Sequence, residues 1–455
     1  MNRPVNRARR PWALGRGLAP LRQSDFGFLL AGQSVSYIGD NFYVVALPWY
    51  VLASHGGVVL LGTVLAAYGI PRTALIAVGG HASDRWRPWT VMLAMDCVRA
   101  GAVAALAIVA AFGPARALLL LPIGAVFGAA DGLSLPASFA IAPALLAVED
   151  LQAGNALLSG GGQLANLAGP AVGGAAVAFL GSSRAFGLDA VSFVLSALAL
   201  VGVRRAMHAR QDKRSRPAEF PGSGDGPVPR RETVAPAHAG TGVPTLRSLF
   251  RSERILQVML LVTVAGNLGL GGLGEVGMPS LARGPLHAGA RGYGILLAAF
   301  AAGALLGTLA AGQARQFRRP FVAGGLAFLA GAPLLAAIPF LPDTAAVAVA
   351  LAAFGSLNGF ANVTTMTAFQ KWADPKVLGR LMGVTMLGSF GIYPVSVALA
   401  AFLVRYLGLT SLFLFTAALC VFAVFAGLSQ RPYREFGARQ PADDITSVQT
   451  APHQA

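Results

Sequence analysis

Charge is what this chain has least of. Only 12% of its residues are charged, against 55% that are hydrophobic, and the mean hydropathy is +0.62. Soluble domains run at about 25% charged residues because their surfaces must face water. A chain of 455 residues at half that density cannot cover itself with polar groups, so its solvent is expected to be lipid.

Other absences narrow the chemistry. The two cysteines, Cys97 and Cys420, both fall in apolar runs and support neither a disulfide framework nor a cysteine-based metal site. The six histidines are scattered, with no pair at ligand spacing, so no metal is expected. There is no Gly-x-x-x-x-Gly-Lys-Ser/Thr loop and no visible nucleophile–base constellation; an enzyme and a bound cofactor are not expected. Gly269 to Gly274 has the spacing of a dinucleotide loop, but it lies in an apolar run with no strand before it. Lysine is nearly absent while arginine, alanine and glycine are abundant, which suggests a GC-rich bacterial genome.

The net charge of +16 would suggest nucleic acid in a soluble protein. Here the charges are confined to tails and to segments between apolar runs, so no nucleic-acid partner is expected. The basic stretch Arg3–Arg22 and the run after it resemble a signal peptide. That run is too long, lacks an Ala-x-Ala site and is followed by many like it, so it reads as a retained first span.

What the chain does have is long apolar runs. A span needs about 20 mostly apolar residues. Spans are placed near 26–53, 58–79, 90–112, 117–136, 154–180 and 185–203, then near 255–281, 292–314, 320–340, 344–369, 380–405 and 409–428. The expected fold class is an all-α membrane protein of twelve transmembrane helices in two six-helix bundles, 26–203 and 255–428. An even number puts both termini in one compartment. Residues 1–25 and 429–455 form tails. The stretch 204–254, charged and rich in Pro and Gly, is expected to be a flexible linker. With both termini in the cytoplasm, the inward segments take Arg3–Arg22, Arg85, Arg87, Arg204–Arg254, Arg315, Arg318 and Arg319. The outward loops hold Arg116, Arg184, Arg283, Arg291 and Arg405, a steep bias toward this orientation.

The halves echo each other. Phe127-Gly128 and Gly132 recur as Phe354-Gly355 and Gly359, and Leu180-Gly181 as Leu407-Gly408, at one offset that also sets Asp40 against Asn267. GGHASDRWRP at 79–88 echoes AGQARQFRRP at 311–320 after a shift of a few residues. Duplication of this kind is a recurring transporter design.

The segment Gly80-His-Ala-Ser-Asp84-Arg85-Trp86-Arg87, read as the loop after the second span, resembles the signature of the major facilitator superfamily between its second and third helices. The resemblance implies a cytoplasmic latch in which Asp84 meets a helix N-terminus of the opposite half and Arg85 holds the tether. Pro88 departs from the pattern, and the second-half copy has Gln316 and Phe317 in place of the Asp-Arg pair. Gly169-Pro170-Ala-Val-Gly173-Gly174, on a stripe of small residues with Gly161 and Ala165, allows backbone-to-backbone packing and a kink. It also looks like the fifth-helix motif of exporting members. AVEDLQAGNALLSGGGQLANLAGPAVGG, AFGLDAVSFVLSALAL, Asp96-Cys-Val-Arg99 and DPKVLGRLMGV at 374–384 are similar to the drug and siderophore exporter branch. That resemblance covers nearly all of the apolar part.

Charged side chains within spans cost about 2.5–3.5 kcal/mol each at mid-depth and are candidates for function. They are Asp40, Arg72, Asp131, Asp189 and Glu275, with Asp96 and Arg99 nearer the end of the third span. Asp40 or Asp131 is the expected proton-coupling carboxylate. Structural pairing is expected for Asp189 and for Asp96 with Arg99, and a carboxylate on a neighbouring helix is a natural partner for Arg72. Glu275 lies nearer the outer end of its span and could simply reach headgroups, and Asn41, Asn267, Asn358 and Asn362 are candidate substrate contacts that could equally bond a neighbouring helix. The expected function is secondary, proton-coupled export of an amphipathic small molecule by a monomer in a bacterial inner membrane. Uptake, or a non-transporting sensor with the same fold, are the alternatives.

Overall fold

A computed structural model describes residues 19–146, 150–215, 254–313, 317–372, 388 and 391–436. In lipid every backbone N–H and C=O must be satisfied within the segment, and long Ala/Leu/Val runs meet that demand as helices. The first half contains α1 (Ser24–Ala53), α2 (Gly57–Arg85), α3 (Pro88–Phe112), α4 (Ala117–Leu145), α5 (Leu151–Leu180) and α6 (Ser182–Ser215). The second contains α7 (Arg254–Arg283), α8 (Gly289–Gln313), α9 (Pro320–Ala337), α10 (Thr344–Trp372), α11 (Tyr393–Leu407) and α12 (Leu409–Ser429), followed by the short α13 (Arg431–Arg434). Among the described residues ten helices are long and apolar enough to cross a membrane. To these are added α1, 30 residues long, and the 15 described residues of α11. The all-helical, twelve-span expectation holds.

Sequence punctuation sets the ends. Pro88 and Pro320 open α3 and α9 at positions where a missing N–H costs nothing. Gly181 (φ +82) and Gly408 (φ +87) stop α5 and α11 in a conformation that glycine alone adopts freely. The repeated Leu-Gly pairs are therefore matched helix stops.

Packing repeats with them. α1 packs on α5 and α6, α2 on α4, and α3 on α4 and α6; α7 packs on α11 and α12, α8 on α10, and α9 on α10 and α12. The α2–α4 seam forms because Gly128 and Gly132 let α4 lie directly on the carbonyls of Tyr68 and Arg72. In the α8–α10 seam Gly355 and Gly359 do the same against Phe300 and Ala304. The halves meet through α5 with α8 and α2 with α11, again a matched pair.

Two expectations change. The Gly80–Arg87 segment is not all loop: α2 runs helically through Arg85, and only Trp86 and Arg87 connect it to Pro88. Gly79 fits this helix because a Cβ there would meet Leu133 Cα at 2.9 Å, so bare glycine permits the α2–α4 approach. Likewise α6 continues to Ser215, so the expected linker begins as helix. Arg, Ala, Met, Gln and Lys are good helix formers, and no proline intervenes before Pro217. Residues 216–253 of that linker, Gln316, residues 1–18 and 437–455 of the tails and all of DPKVLGRLMGV lie outside the described residues.

Candidate functional site

Between the halves lies a cavity of about 330 Å³, the size of a small-molecule site. α1 supplies Gln33, Ser36, Tyr37, Asp40 and Tyr43 to its wall. α2 supplies Tyr68 and Arg72, α3 supplies Arg99, and α4 supplies Phe127, Asp131, Ser134 and Ser138. Among the described residues the second half contributes only Glu275 and Tyr393. Helical spacing brings the α1 side chains together, since positions three and four apart share a face. Tyr37, Asp40 and Tyr43 follow that rule, as do Tyr68 and Arg72.

At the centre of the wall is an ion cluster. Arg72 Nε lies 2.7 Å from Asp131 Oδ2, which also accepts a 2.8 Å hydrogen bond from Tyr68 Oη. Arg99 Nη1 stands 3.7 Å from Asp131 Oδ1 and pairs through Nη2 with Asp96 on its own helix. Arg99 Nη2 also donates to Ser134 Oγ at 3.3 Å, and Phe193 packs its ring 4.6 Å from the guanidinium carbon. Ser196 Oγ donates to Asp96 Oδ2 at 2.7 Å, tying α6 into the cluster. α2, α3, α4 and α6 thus hold two guanidiniums and two carboxylates in mutual contact. The pairing expected for Asp96 with Arg99, and of Arg72 with a neighbouring helix, is present.

Asp40 lines the same cavity and has no hydrogen bond or ion pair among the described residues. It sits one turn from Tyr37 and beside Gly39, where α1 approaches α6 at Ser192 and Asp189. Asp189 itself is fully buried. Ser192 Oγ donates to it at 3.3 Å, its other oxygen has no partner, and no cation pairs with it among the described residues. Pairing of Asp189 with a cation is therefore not found, because the arginines of its neighbourhood are committed to Asp96 and Asp131.

Glu275 lines the cavity as well. A single π-helical turn, Leu273–Gly277, interrupts α7 and sets this carboxylate on the cavity wall rather than toward headgroups. The four asparagines are absent from that wall. Asn41 Nδ2 donates to Tyr37 O at 2.7 Å and Ala165 O at 3.3 Å, filling the notch left by Gly169 on α5. Asn267 Nδ2 donates to Thr263 O at 2.9 Å, and neither Asn358 nor Asn362 lines the cavity. In lipid an amide side chain satisfies itself on the nearest carbonyl, and α1 and α7 provide one a turn away.

The fifth-helix motif serves two contacts. Gly169 and Gly173 receive α1, and a Cβ on Gly173 would stand 2.7 Å from Asn41 O. Gly174 instead faces α8, where a Cβ would stand 2.8 Å from Gly294 Cα; Gly294 in turn lies against Pro170 O. In the mirrored seam Gly62 packs against Ala401 and Gly69 against Tyr393. These contacts between halves lie toward the helix ends away from the tails. Of the latch residues, Arg85 and Arg87 are exposed. Gly80 and Asp84 lie on the last turns of α2, and their surroundings are outside the description.

The aromatic wall escaped sequence reading. Tyr43, Tyr68, Phe127 and Tyr393 form one group, with Tyr43–Phe127 ring centres 4.6 Å apart and Tyr68–Tyr393 6.3 Å apart. The available signal was spacing: Tyr37 and Tyr43 stand three residues either side of Asp40, and Tyr68 four before Arg72.

Two packed helical repeats around a small-molecule cavity with intramembrane charges define a polytopic membrane transporter. The profile of the Major Facilitator Superfamily matches residues 29–284 and 275–450. The chain belongs to that superfamily, a family of transporters rather than enzymes. It is 24% identical over 419 residues to the uncharacterized MFS-type transporter y4rN of Sinorhizobium fredii, covering 90% of this chain and 95% of that protein. It is 29% identical over 208 residues to the multidrug efflux pump Tap of Mycobacterium tuberculosis, covering 43% of this chain and 49% of that one. Among solved structures, a bacterial homologue of the iron transporter ferroportin in an inward-facing state aligns with TM-score 0.65 at 16% identity, covering 92% of this chain and 99% of that one. The nucleoside transporter NupG aligns with TM-score 0.63 at 13% identity, covering 89% and 98%. These structures share the fold.

Proposed function

We propose that this transporter exports an amphipathic small molecule, drug or secondary metabolite, in exchange for protons across a bacterial inner membrane. The observation that carries the coupling is Asp40, a cavity carboxylate with no partner among the described residues, beside an ion-paired cluster. Asp40 takes a proton when its side chain is shielded and gives it up when a substrate reaches the cavity. Asp131, clamped by Arg72, Arg99 and Tyr68, holds the wall in register and senses the change through Arg99.

The halves 26–203 and 255–428 rock about the cavity. With both tails cytoplasmic, as the arginine bias favours, the Gly174–Gly294 and Gly62–Ala401 contacts close the outer side, which suits loading from within. The latch of Asp84 and Arg85 would engage when the cytoplasmic side closes instead. The partial likeness to an efflux pump and the Gly-Pro motif on α5 support export over uptake.

The test uses everted membrane vesicles with a respiration-driven acid interior and a pH-quenched dye. A panel of hydrophobic antibiotics and cationic dyes should release protons only when the protein is present. Asp40→Asn should abolish that release at unchanged expression. Normal gradient-driven export by Asp40→Asn would remove the assignment.

A further inference from the structure

The cavity has a second carboxylate without a partner. Glu275 lines it from the opposite half, and among the described residues it makes no hydrogen bond or ion pair. It is held there by the π turn, which inserts one residue into α7 and so rotates this side chain relative to the helix before it. Single π turns inside α-helices concentrate at functional sites. A carboxylate at membrane depth is kept for a purpose when no protein cation meets it.

The wall that Glu275 shares is aromatic. Tyr43, Tyr68 and Tyr393 line the cavity with it, with Tyr43–Tyr68 and Tyr68–Tyr393 ring centres each 6.3 Å apart. A ring face attracts a cation through its quadrupole, and a desolvated site strengthens the attraction. The charges on the wall decide the sign. Among the described residues its three carboxylates are Asp40, Asp131 and Glu275, and its two guanidiniums are Arg72 and Arg99. Both guanidiniums are already paired, with Asp131 and Asp96, so among these residues an anionic substrate finds no available cation. A cation finds Glu275.

We propose that Glu275 is the specificity-determining anchor for an organic cation, held against the ring wall of Tyr43, Tyr68 and Tyr393. This rests on the cavity being the transporter's substrate site and assigns its charge class. Asp40, in the first half, exchanges protons; Glu275, in the second, holds the substrate charge. Because the two lie in opposite halves, the bound cation bridges them.

The test is equilibrium binding of labelled tetraphenylphosphonium, a permanent cation without a titratable proton, to the purified full chain in lipid nanodiscs. Neutral triphenylphosphine oxide of similar shape serves as the competing control. The wild-type chain should prefer the cation. Glu275→Gln should weaken cation binding by about tenfold or more and leave the neutral compound nearly unchanged. Glu275→Asp, which keeps the charge but withdraws it by one methylene, should fall between them and serves alone if Glu275→Gln does not give monodisperse protein. Absence of saturable cation binding in the wild-type chain, or equal loss of both compounds in the variant, would overturn the proposal. No gradient is present in this assay. Selective binding with no proton exchange in vesicles would therefore remove the coupling reading and leave Glu275 standing, while proton-driven export of neutral compounds without cation selectivity would do the reverse.

Discussion

Arg72 on α2 and Asp131 on α4 meet at 2.7 Å directly beside the seam where Gly132 lies on the Arg72 carbonyl. The same residue thus contributes its backbone to helix packing and its side chain to the cavity. Breaking a buried pair by removing one partner costs about 3–5 kcal/mol. These two side chains keep 19% and 21% of their surface, so a smaller loss of about 2 kcal/mol is expected from Arg72→Met or Asp131→Leu alone. The double variant should recover most of the melting temperature in detergent and none of the transport. Recovery of transport would show the pair to be only structural.

Gly174 and Gly294 make the α5–α8 contact so close that a Cβ on Gly174 has no room. Gly174→Leu should preserve yield but push the outer ends of these helices apart. Spin labels at Leu180→Cys and Arg291→Cys would then report a longer distance, and transport would fall. Gly187→Leu, where nothing lies within 4 Å, is the control and should behave as wild type.

Because the two seams are equivalent, their glycines should be equally intolerant. Gly132→Val and Gly359→Val each drive a side chain into a carbonyl, of Arg72 and of Ala304. Both should lower the amount of folded protein by a similar large factor, read by fluorescence size-exclusion chromatography. Gly101→Val, in open space, should not.

Outside the spans, Tyr433 on α13 is 4% exposed, and its ring centre lies 5.1 Å from that of Phe321. Burial pushes its hydroxyl up to about 12 from 10.0, so the neutral form is the one that fits. Its contribution is complete below the unfolded value and is lost as pH rises through the folded one. Melting temperature should therefore fall above about pH 10 in the wild-type chain, and less steeply in Tyr433→Phe.

Much of this was legible beforehand. Apolar length gave the spans, and the offset linking Gly128 to Gly355 and Gly132 to Gly359 pointed to seams that do coincide. The GGHASDRWRP echo needed a shifted offset because α4 and α2 repeat with different spacings, which the two seams show directly. Asp40, Asp131 and Arg72 reach the cavity, as charge in an apolar run suggested. The asparagines read both ways, and Asn41 and Asn267 bond helix carbonyls, Asn41 also that of Ala165 on α5, because an amide in a helix reaches nearby backbone more easily than a distant cavity. Glu275 was legible as charge in an apolar run, but its turn toward the cavity was not, because no residue type announces a π turn. The tyrosines were hidden by looking for charge alone, although their spacing from Asp40 and Arg72 was there to be seen.

The two seams have one more consequence. At the positions corresponding to Arg72 and Asp131 the second half has Ala304 and Asn358, so the ion pair beside the first seam has no counterpart beside the second. α8 and α10 then need conserve little besides their bare glycines and general greasiness. Natural drift in related chains should collect on that copy, leaving α2 and α4 as the more slowly changing pair.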